Sequence, residues 1–156
     1  MKNSKVYSFD QAKILLERYC IYQDRCHKEV ETKLYTIGMI KEAKELIIIH
    51  LLQNDFLNEE RFARSFVRGK FNQKKWGKKK IISQLKLKDI SMYNIKIALT
   101  EIDASDYILT LNTLALKKFN TTKGANSFIK RKKISTFLIG KGYEYDLVFK
   151  VVNALF

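Results

Sequence analysis

A short pattern that occurs three times places the strongest constraint on how this chain of 156 residues can fold. A leucine is followed four residues later by glycine or aspartate, and then by an apolar residue. The pattern begins at Leu34, returns 51 residues later at Leu85, and returns again 53 residues later at Leu138. A period of this length indicates tandem copies of one structural unit, each too small to bury a core alone.

The residues around the pattern recur in the same register. Val30, Ile81 and Ile134 each lie four residues before the leucine. Apolar residues with helical spacing also return after it. They are Ile47, Ile48 and Leu51 in the first copy, Ala98, Leu99 and Ile102 in the second, and Val151, Val152 and Leu155 in the third. Each copy therefore predicts at least two amphipathic helices. Glycine or aspartate at Gly38, Asp89 and Gly142 suits a left-handed helix end.

A further helical stretch precedes each copy, and the chain contains no proline to interrupt it. These stretches are Gln11–Gln23, Glu59–Asn72 and Ser105–Phe119. Turns are predicted at Asn54-Asp55 and at Thr121-Thr122-Lys123-Gly124. We therefore predict an all-α fold of nine helices, in which three tandem three-helix repeats form an elongated, curved array. The predicted repeats are residues 1–55, 56–102 and 103–156.

The charge is strongly positive and unevenly distributed, at +14 overall and +1, +8 and +5 in the three predicted repeats. Eleven basic residues and no acid lie between Arg61 and Lys88, which favours a polyanionic partner. The triplet that begins at Arg131 aligns with the one that begins at Lys78. The candidate contact residues are Arg61, Arg64, Arg68, Lys74, Lys75, Lys78, Lys79, Lys80, Arg131, Lys132 and Lys133.

The residues from Asn58 onward indicate where a helix begins and which of its faces is buried. Asn58 is a favourable N-cap, and acidic residues in the first turn suit the helix dipole. Phe62 and Phe66 are predicted to be core residues, whereas the three arginines lie in a row on another face. Trp76 could stack on a base or anchor a partner, but we favour a structural role at a helix start.

The chain shows no pattern of an enzyme, so we expect no catalytic residues, metal or cofactor. Cys20, Cys26 and His27 match no common zinc spacing, no P-loop occurs, and the acids are scattered. Met1–Asp10 is polar, and no apolar run approaches the ~20 residues of a membrane span. We therefore expect a cytoplasmic monomer that does not bind a membrane.

The central copy carries a resemblance to a known family. Phe56–Arg68, followed by Trp76–Ile81 and Leu85, closely resembles the second repeat of RecX-family proteins. The first copy is similar too, with Glu29-Val30, Lys33-Leu34 and Gly38 at the family's Glu-Leu, Lys-Leu and Gly. The resemblance covers about Tyr19–Leu155. The chain departs from the family at Asp89, where the family has glycine, and at Cys26-His27, where it has small polar residues.

The resemblance implies a non-catalytic regulator of homologous recombination and the SOS response. RecX-family proteins are tandem three-helix arrays that bind the RecA recombinase. They lodge in the groove of the RecA–single-stranded DNA filament, where they inhibit filament extension, strand exchange, ATP hydrolysis and co-protease activity. The basic residues would then contact RecA, the single strand or duplex DNA. The residues alone leave an alternative open: a direct DNA-binding factor that docks like a helix-turn-helix protein and acts without RecA.

Overall fold

The computed structural model describes residues 5–123 and 126–156, which contain nine α-helices and no β-strand. Gly124 of the second predicted turn and Met1–Ser4 lie outside the described residues. No described helix is both long and apolar enough to cross a membrane. The helices are α1 Phe9–Tyr22, α2 His27–Thr36, α3 Lys41–Gln53, α4 Glu59–Asn72, α5 Lys78–Leu87, α6 Met92–Leu99, α7 Ala104–Thr121, α8 Ser127–Gly140 and α9 Tyr145–Asn153.

The nine helices pack as three consecutive triads. The most extensive helix contacts in the described chain all join helices of one triad: α1 to α3, α4 to α6, or α7 to α9. This arrangement confirms the predicted all-α fold of tandem three-helix repeats. The exact boundaries after residues 55 and 102 stay predictions.

The first helix of each triad begins at a side-chain cap. The Asn58 side chain accepts a hydrogen bond from the Arg61 amide at 2.9 Å, and α4 has the predicted bounds. α1 begins two residues earlier than predicted because Ser8 and Gln11 form a capping box. α7 begins one residue early, since the Asp103 carboxylate accepts hydrogen bonds from two amides of its first turn.

The second helix of each triad ends in the same way. Gly38, Asp89 and Gly142 have left-handed φ angles of 80°, 59° and 101°. The following amide donates back to the carbonyl of the repeated leucine, at 3.0 Å, 3.1 Å and 3.3 Å in the three copies. The three leucines are fully buried. The repeat register predicted from the sequence is therefore confirmed, including the helix end at Asp89.

The buried side chains form two cores. The first repeat has its own cluster, which includes Leu16, Leu34 and Leu51. The second and third repeats share a single cluster, and Cys26 from the first repeat belongs to that cluster too. The second and third repeats are therefore one packed block in their interior.

Two glycines bring the backbones of the second and third repeats together. The Gly77 amide donates to the Lys141 carbonyl at 2.8 Å, and the Lys79 amide donates to the Gly142 carbonyl at 2.9 Å. A Cβ on Gly77 would lie 2.3 Å from the carbonyl carbon of Gly142. This approach requires a residue without a side chain at position 77.

Candidate nucleic-acid interface

The three arginines of α4 lie on one face and line a shallow cleft, but each is held in an ion pair. The Arg61 guanidinium donates to Asp24 at 2.9 Å and lies 3.0 Å from an oxygen of Asp55. The hydrogen bond that Arg61 donates to the Asp24 carboxylate raises the pKa of Arg61 above its ordinary value. Arg61 thus joins the first repeat to the second.

Arg64 and Arg68 share one carboxylate. Both guanidinium groups lie 3.0 Å from Oε1 of Glu101, and Arg64 also pairs with Glu60 at 3.2 Å. A polyanion that contacted these arginines would have to compete with carboxylates already in place. The row is therefore partly neutralised within the molecule.

The lysines at the end of α4, in the connection that follows it and in the first turn of α5 have a different environment. Together with Lys141 they form a group at the junction of the second and third repeats, and we call them the junction lysines. In the described part of the chain, no carboxylate lies within 4.0 Å of any of them. They are Lys70, Lys74, Lys75, Lys78, Lys79, Lys80 and Lys141.

Aromatic rings position several junction lysines without neutralising them. The ammonium group of Lys80 lies 4.5 Å from the ring centroid of Trp76, and that of Lys79 lies 4.1 Å from the ring of Tyr145. Such cation–π contacts orient a charge and leave it positive. Trp76 itself packs edge-on against Phe66 beside the shared core, a contact that agrees with the structural role favoured for it.

The junction lysines crowd the N-terminus of α5, the positive end of its dipole. Its first turn contains no acid, so the charges repel one another and the dipole. The first two amides of the helix are already occupied, because the Lys78 amide donates to the Tyr107 hydroxyl at 3.0 Å and the Lys79 amide to Gly142. An anion at this surface would therefore meet ammonium groups rather than backbone amides.

Tyr107 fixes the junction from within. Its buried hydroxyl donates to a carboxylate oxygen of Glu144 at 2.8 Å while accepting from the Lys78 amide. Burial raises the pKa of the Tyr107 phenol far above its ordinary value. The neighbouring Tyr143 hydroxyl donates to the Lys75 carbonyl at 2.8 Å. The junction lysines therefore sit on a rigid, hydrogen-bonded base.

The third repeat's basic triplet does not copy the environment of the second. In the second repeat the triplet begins α5. In the third repeat α8 begins four residues before the triplet, which therefore lies in the middle of the helix. The Arg131 guanidinium donates to Asn153 at 2.9 Å and lies 4.7 Å from the ring centroid of Phe156. Lys132 and Lys133 instead face a groove between α7 and α8. Ten of the eleven predicted contact residues are thus divided among three surfaces, and Arg131 lies apart from all three.

Sequence reasoning missed several basic residues near these surfaces. Lys70 and Lys141 belong to the junction lysines, while Lys118 and Lys123 line the groove with Lys132 and Lys133. The available signal for Lys118, Lys123 and Lys141 was a second acid-free stretch, from residue 107 to residue 143, with eight basic residues, whereas Lys70 lies in the first stretch. The two acid-free stretches meet where the Lys141 ammonium donates to the Lys74 carbonyl at 3.1 Å.

The cysteines are buried free thiols. Cys26 precedes α2, at the helix start predicted for it, and its amide donates to Glu29 at 3.1 Å. Burial raises the pKa of the Cys26 thiol to about 11 and also raises that of Cys20. Within the described ranges, no group of three His, Cys, Asp or Glu side chains could hold a metal ion.

Comparison with known families agrees with the repeats. A family model described as RecX, second three-helix domain, matches residues 58–99, and one described as RecX, third three-helix domain, matches residues 106–152. The fold and its matched domains define a class of regulatory proteins built from tandem three-helix domains.

Relatives and solved structures cover most of the chain. Regulatory protein RecX of Chlorobium phaeobacteroides (strain BS1) is 30% identical over 134 residues, which is 86% of either chain. The crystal structure of RecX from Lactobacillus salivarius is 28% identical, with a TM-score of 0.82 over 94% of this chain and 96% of that one. The chain belongs to the RecX family. It spans 63% of the length of regulatory protein RecX of Clostridium acetobutylicum, to which it is 29% identical.

Proposed function

We propose that this protein regulates the RecA recombinase by binding the RecA–single-stranded DNA filament, without catalysing a reaction itself. One observation carries the proposal: among the described residues, the junction lysines form a surface without paired carboxylates where the two acid-free stretches of the chain meet. A filament of protein and DNA presents phosphates and acidic side chains together. A basic surface that spans two repeats suits such a partner.

The proposed action is inhibition, and it follows from the position that the protein would occupy along the filament. A monomeric array lodged along the filament would obstruct the addition of RecA subunits and the movements that accompany ATP hydrolysis. Filament extension, ATP hydrolysis, strand exchange and co-protease activity would then fall together. Family membership supports a regulatory role, and the charge distribution supports the kind of partner.

Among the candidate contact residues, the lysines are better placed than the arginine row. Arg61, Arg64 and Arg68 each have a carboxylate partner that a ligand would have to displace. Lys74, Lys75 and Lys79 are exposed and have no such partner in the described residues. We therefore place the first contact at the junction lysines, with the arginine row as a secondary contact.

Direct docking in duplex DNA is the less supported function. A helix-turn-helix protein reads the major groove with the last helix of its three-helix unit. In the three repeats that helix is α3, α6 or α9. In α3, Lys41 and Lys44 are balanced by Glu42 and Glu45, and α6 and α9 carry one basic residue each, Lys96 and Lys150. Most of the excess positive charge lies instead on α4, α5 and α8, so it is not where major-groove docking would use it.

The test is ATP hydrolysis by preformed RecA filaments on single-stranded DNA, with this protein added at substoichiometric ratios. Regulation of the filament predicts loss of hydrolysis well below one molecule per RecA. Unchanged hydrolysis together with salt-sensitive binding to naked DNA would overturn the proposal in favour of direct DNA binding.

A further inference from the structure

A groove lies between the end of α7 and the start of α8, and none of the junction lysines lines it, although Lys141 reaches the ring of Phe137 at its floor. Its cavity has a volume of about 750 Å³, within the range of about 300–1,000 Å³ that is common for ligand sites. Four lysines and two phenylalanines dominate the wall. They are Lys118, Lys123, Lys132, Lys133, Phe128 and Phe137.

The groove exists because α8 is longer than its counterpart in the second repeat. The four residues that extend α8 at its start include Phe128. This residue is 74% exposed, although most large apolar residues of this repeat's helices pack toward the core. The extension therefore displays an aromatic ring at the mouth of a basic groove.

The two phenylalanines of the groove differ in whether a ring face is open. Phe137 is partly buried, and the ammonium groups of Lys118 and Lys141 lie 4.7 Å and 5.9 Å from its ring centroid. In the described chain, no cation lies over the ring of Phe128. Phe128 can therefore stack on a planar ligand, whereas Phe137 forms part of the floor.

The polar side chains of the groove can attract an anion, but they offer few hydrogen bonds that could distinguish one base from another. The hydroxyls of Thr121 and Thr122 donate to backbone carbonyls of α7, at 3.0 Å and 2.6 Å. The lysines remain, and no acid occurs in the sequence from residue 107 to residue 143 to oppose them. Lysine contacts phosphates as a point charge and does not distinguish bases.

We propose that this groove binds a single strand of DNA, with a base stacked on Phe128 and the adjacent phosphates held by the four lysines. Open aromatic faces beside a positive groove are the arrangement with which proteins bind single strands regardless of sequence. The inference rests on the proposed function, because the strand is the one that a RecA filament contains. It adds a second contact surface to that function, lined by lysines of the third repeat that are not among the junction lysines.

The test is fluorescence anisotropy of labelled oligo(dT) with the full chain and variants at position 128. Phe128→Ala and Phe128→Leu should each weaken binding by about 5- to 100-fold, the loss expected for one stacked base. Phe128→Trp should keep wild-type affinity, because tryptophan also stacks. Phe149→Ala, which removes another exposed phenylalanine of the same repeat, is the matched control and should change nothing.

An abasic strand of the same length separates stacking from charge. Wild type should bind it as weakly as Phe128→Ala binds oligo(dT). Equal affinity of Phe128→Leu and wild type for oligo(dT) would overturn the stacking site, as would no binding by wild type. Equally Phe128-dependent binding of poly-glutamate would identify an acidic peptide instead and overturn it too. None of these results alters the RecA hydrolysis assay, so failure of the groove and failure of the proposed function can be told apart.

Discussion

Asp89 is the single residue at which this chain departs most clearly from its own repeat. It has a φ of 59°, in a position where the other two repeats have glycine. A side chain in this region is strained, although aspartate tolerates it better than most residues. Its compensating contact is weak: an exposed pair with Lys28 at 3.7 Å.

Asp89→Gly should therefore stabilise the protein by up to about 1 kcal/mol, because relief of the left-handed conformation exceeds the loss of a surface ion pair. The free energy of unfolding in urea measures the change. Asp89→Asn is the matched control, since it removes the charge and keeps a residue that tolerates the conformation. A destabilised Asp89→Gly variant would show that the pair with Lys28 matters more than the strain.

Cys26 should resist thiol reagents in the native protein. Its side chain is fully buried and its pKa is raised from 9.0 to about 11, so the reactive thiolate is scarce near neutral pH. We expect Ellman's reagent at pH 8 to label neither cysteine in the folded chain and both in urea. Rapid labelling of one thiol in Cys20→Ala under native conditions would contradict this burial.

The raised pKa of Cys26 also determines the direction in which the stability of the fold changes with pH. The folded pKa of Cys26 lies above the unfolded value, so its contribution is fully present below about pH 9 and is lost as the pH rises toward 11. Wild type should thus lose more stability than Cys26→Ala over this interval. Parallel losses in the two proteins would show that the thiol is not desolvated.

At the scale of helices, local signals predicted most of what was found. The helix-end pattern placed Gly38, Asp89 and Gly142 correctly because each cap involves residues only a few positions apart. α1 and α7 were predicted too short, since the caps at Ser8 and Asp103 were not recognised. The extra turn of α8 was missed because repeat alignment assumes helices of equal length.

Gly77 lies where the start of α5 meets the end of α8, so a substitution there tests how tightly the second and third repeats pack. Gly77→Ala would push a Cβ to within 2.3 Å of the Gly142 backbone, so we expect a loss of about 2 kcal/mol or more in the free energy of unfolding. Gly69→Ala is the control: a Cβ there meets nothing within 4 Å, and alanine should stabilise the interior of α4 by about 1 kcal/mol. Similar stability of the two variants would show that the junction backbones separate easily.

At the scale of the whole molecule, contacts between residues far apart in the chain could not be predicted from the sequence. The basic run was visible, but the carboxylates that neutralise Arg61 and Arg64 come from 37 residues away in each direction. Only the fold brings Asp24 and Glu101 to α4. For the same reason, the sequence could not distinguish paired arginines from the junction lysines, and it did not reveal that Lys141 lies beside Lys74.

The division into two cores predicts how the molecule opens. The second and third repeats share one core and backbone hydrogen bonds, so their buried amides should exchange with a common free energy of opening. The first repeat, with its own core, should open separately. Native-state hydrogen exchange measures both. Tyr107→Phe should lower protection in α5 and α9 but not in α2; an equal fall in all three would mean that the chain opens as one unit.

The central claim is that the junction lysines carry the contact with the filament. Its most direct test is the affinity for a RecA–single-stranded DNA filament, measured against salt, of a variant with Lys78, Lys79 and Lys80 changed to glutamine. The control changes Lys13, Lys41 and Lys44 of the first repeat and removes the same charge. We predict that the junction variant alone binds more weakly. Its slope of log affinity against log salt concentration should also be shallower by about 2, because each of the three lost phosphate contacts contributes about 0.7. Equal affinities and slopes for the two variants would contradict the claim.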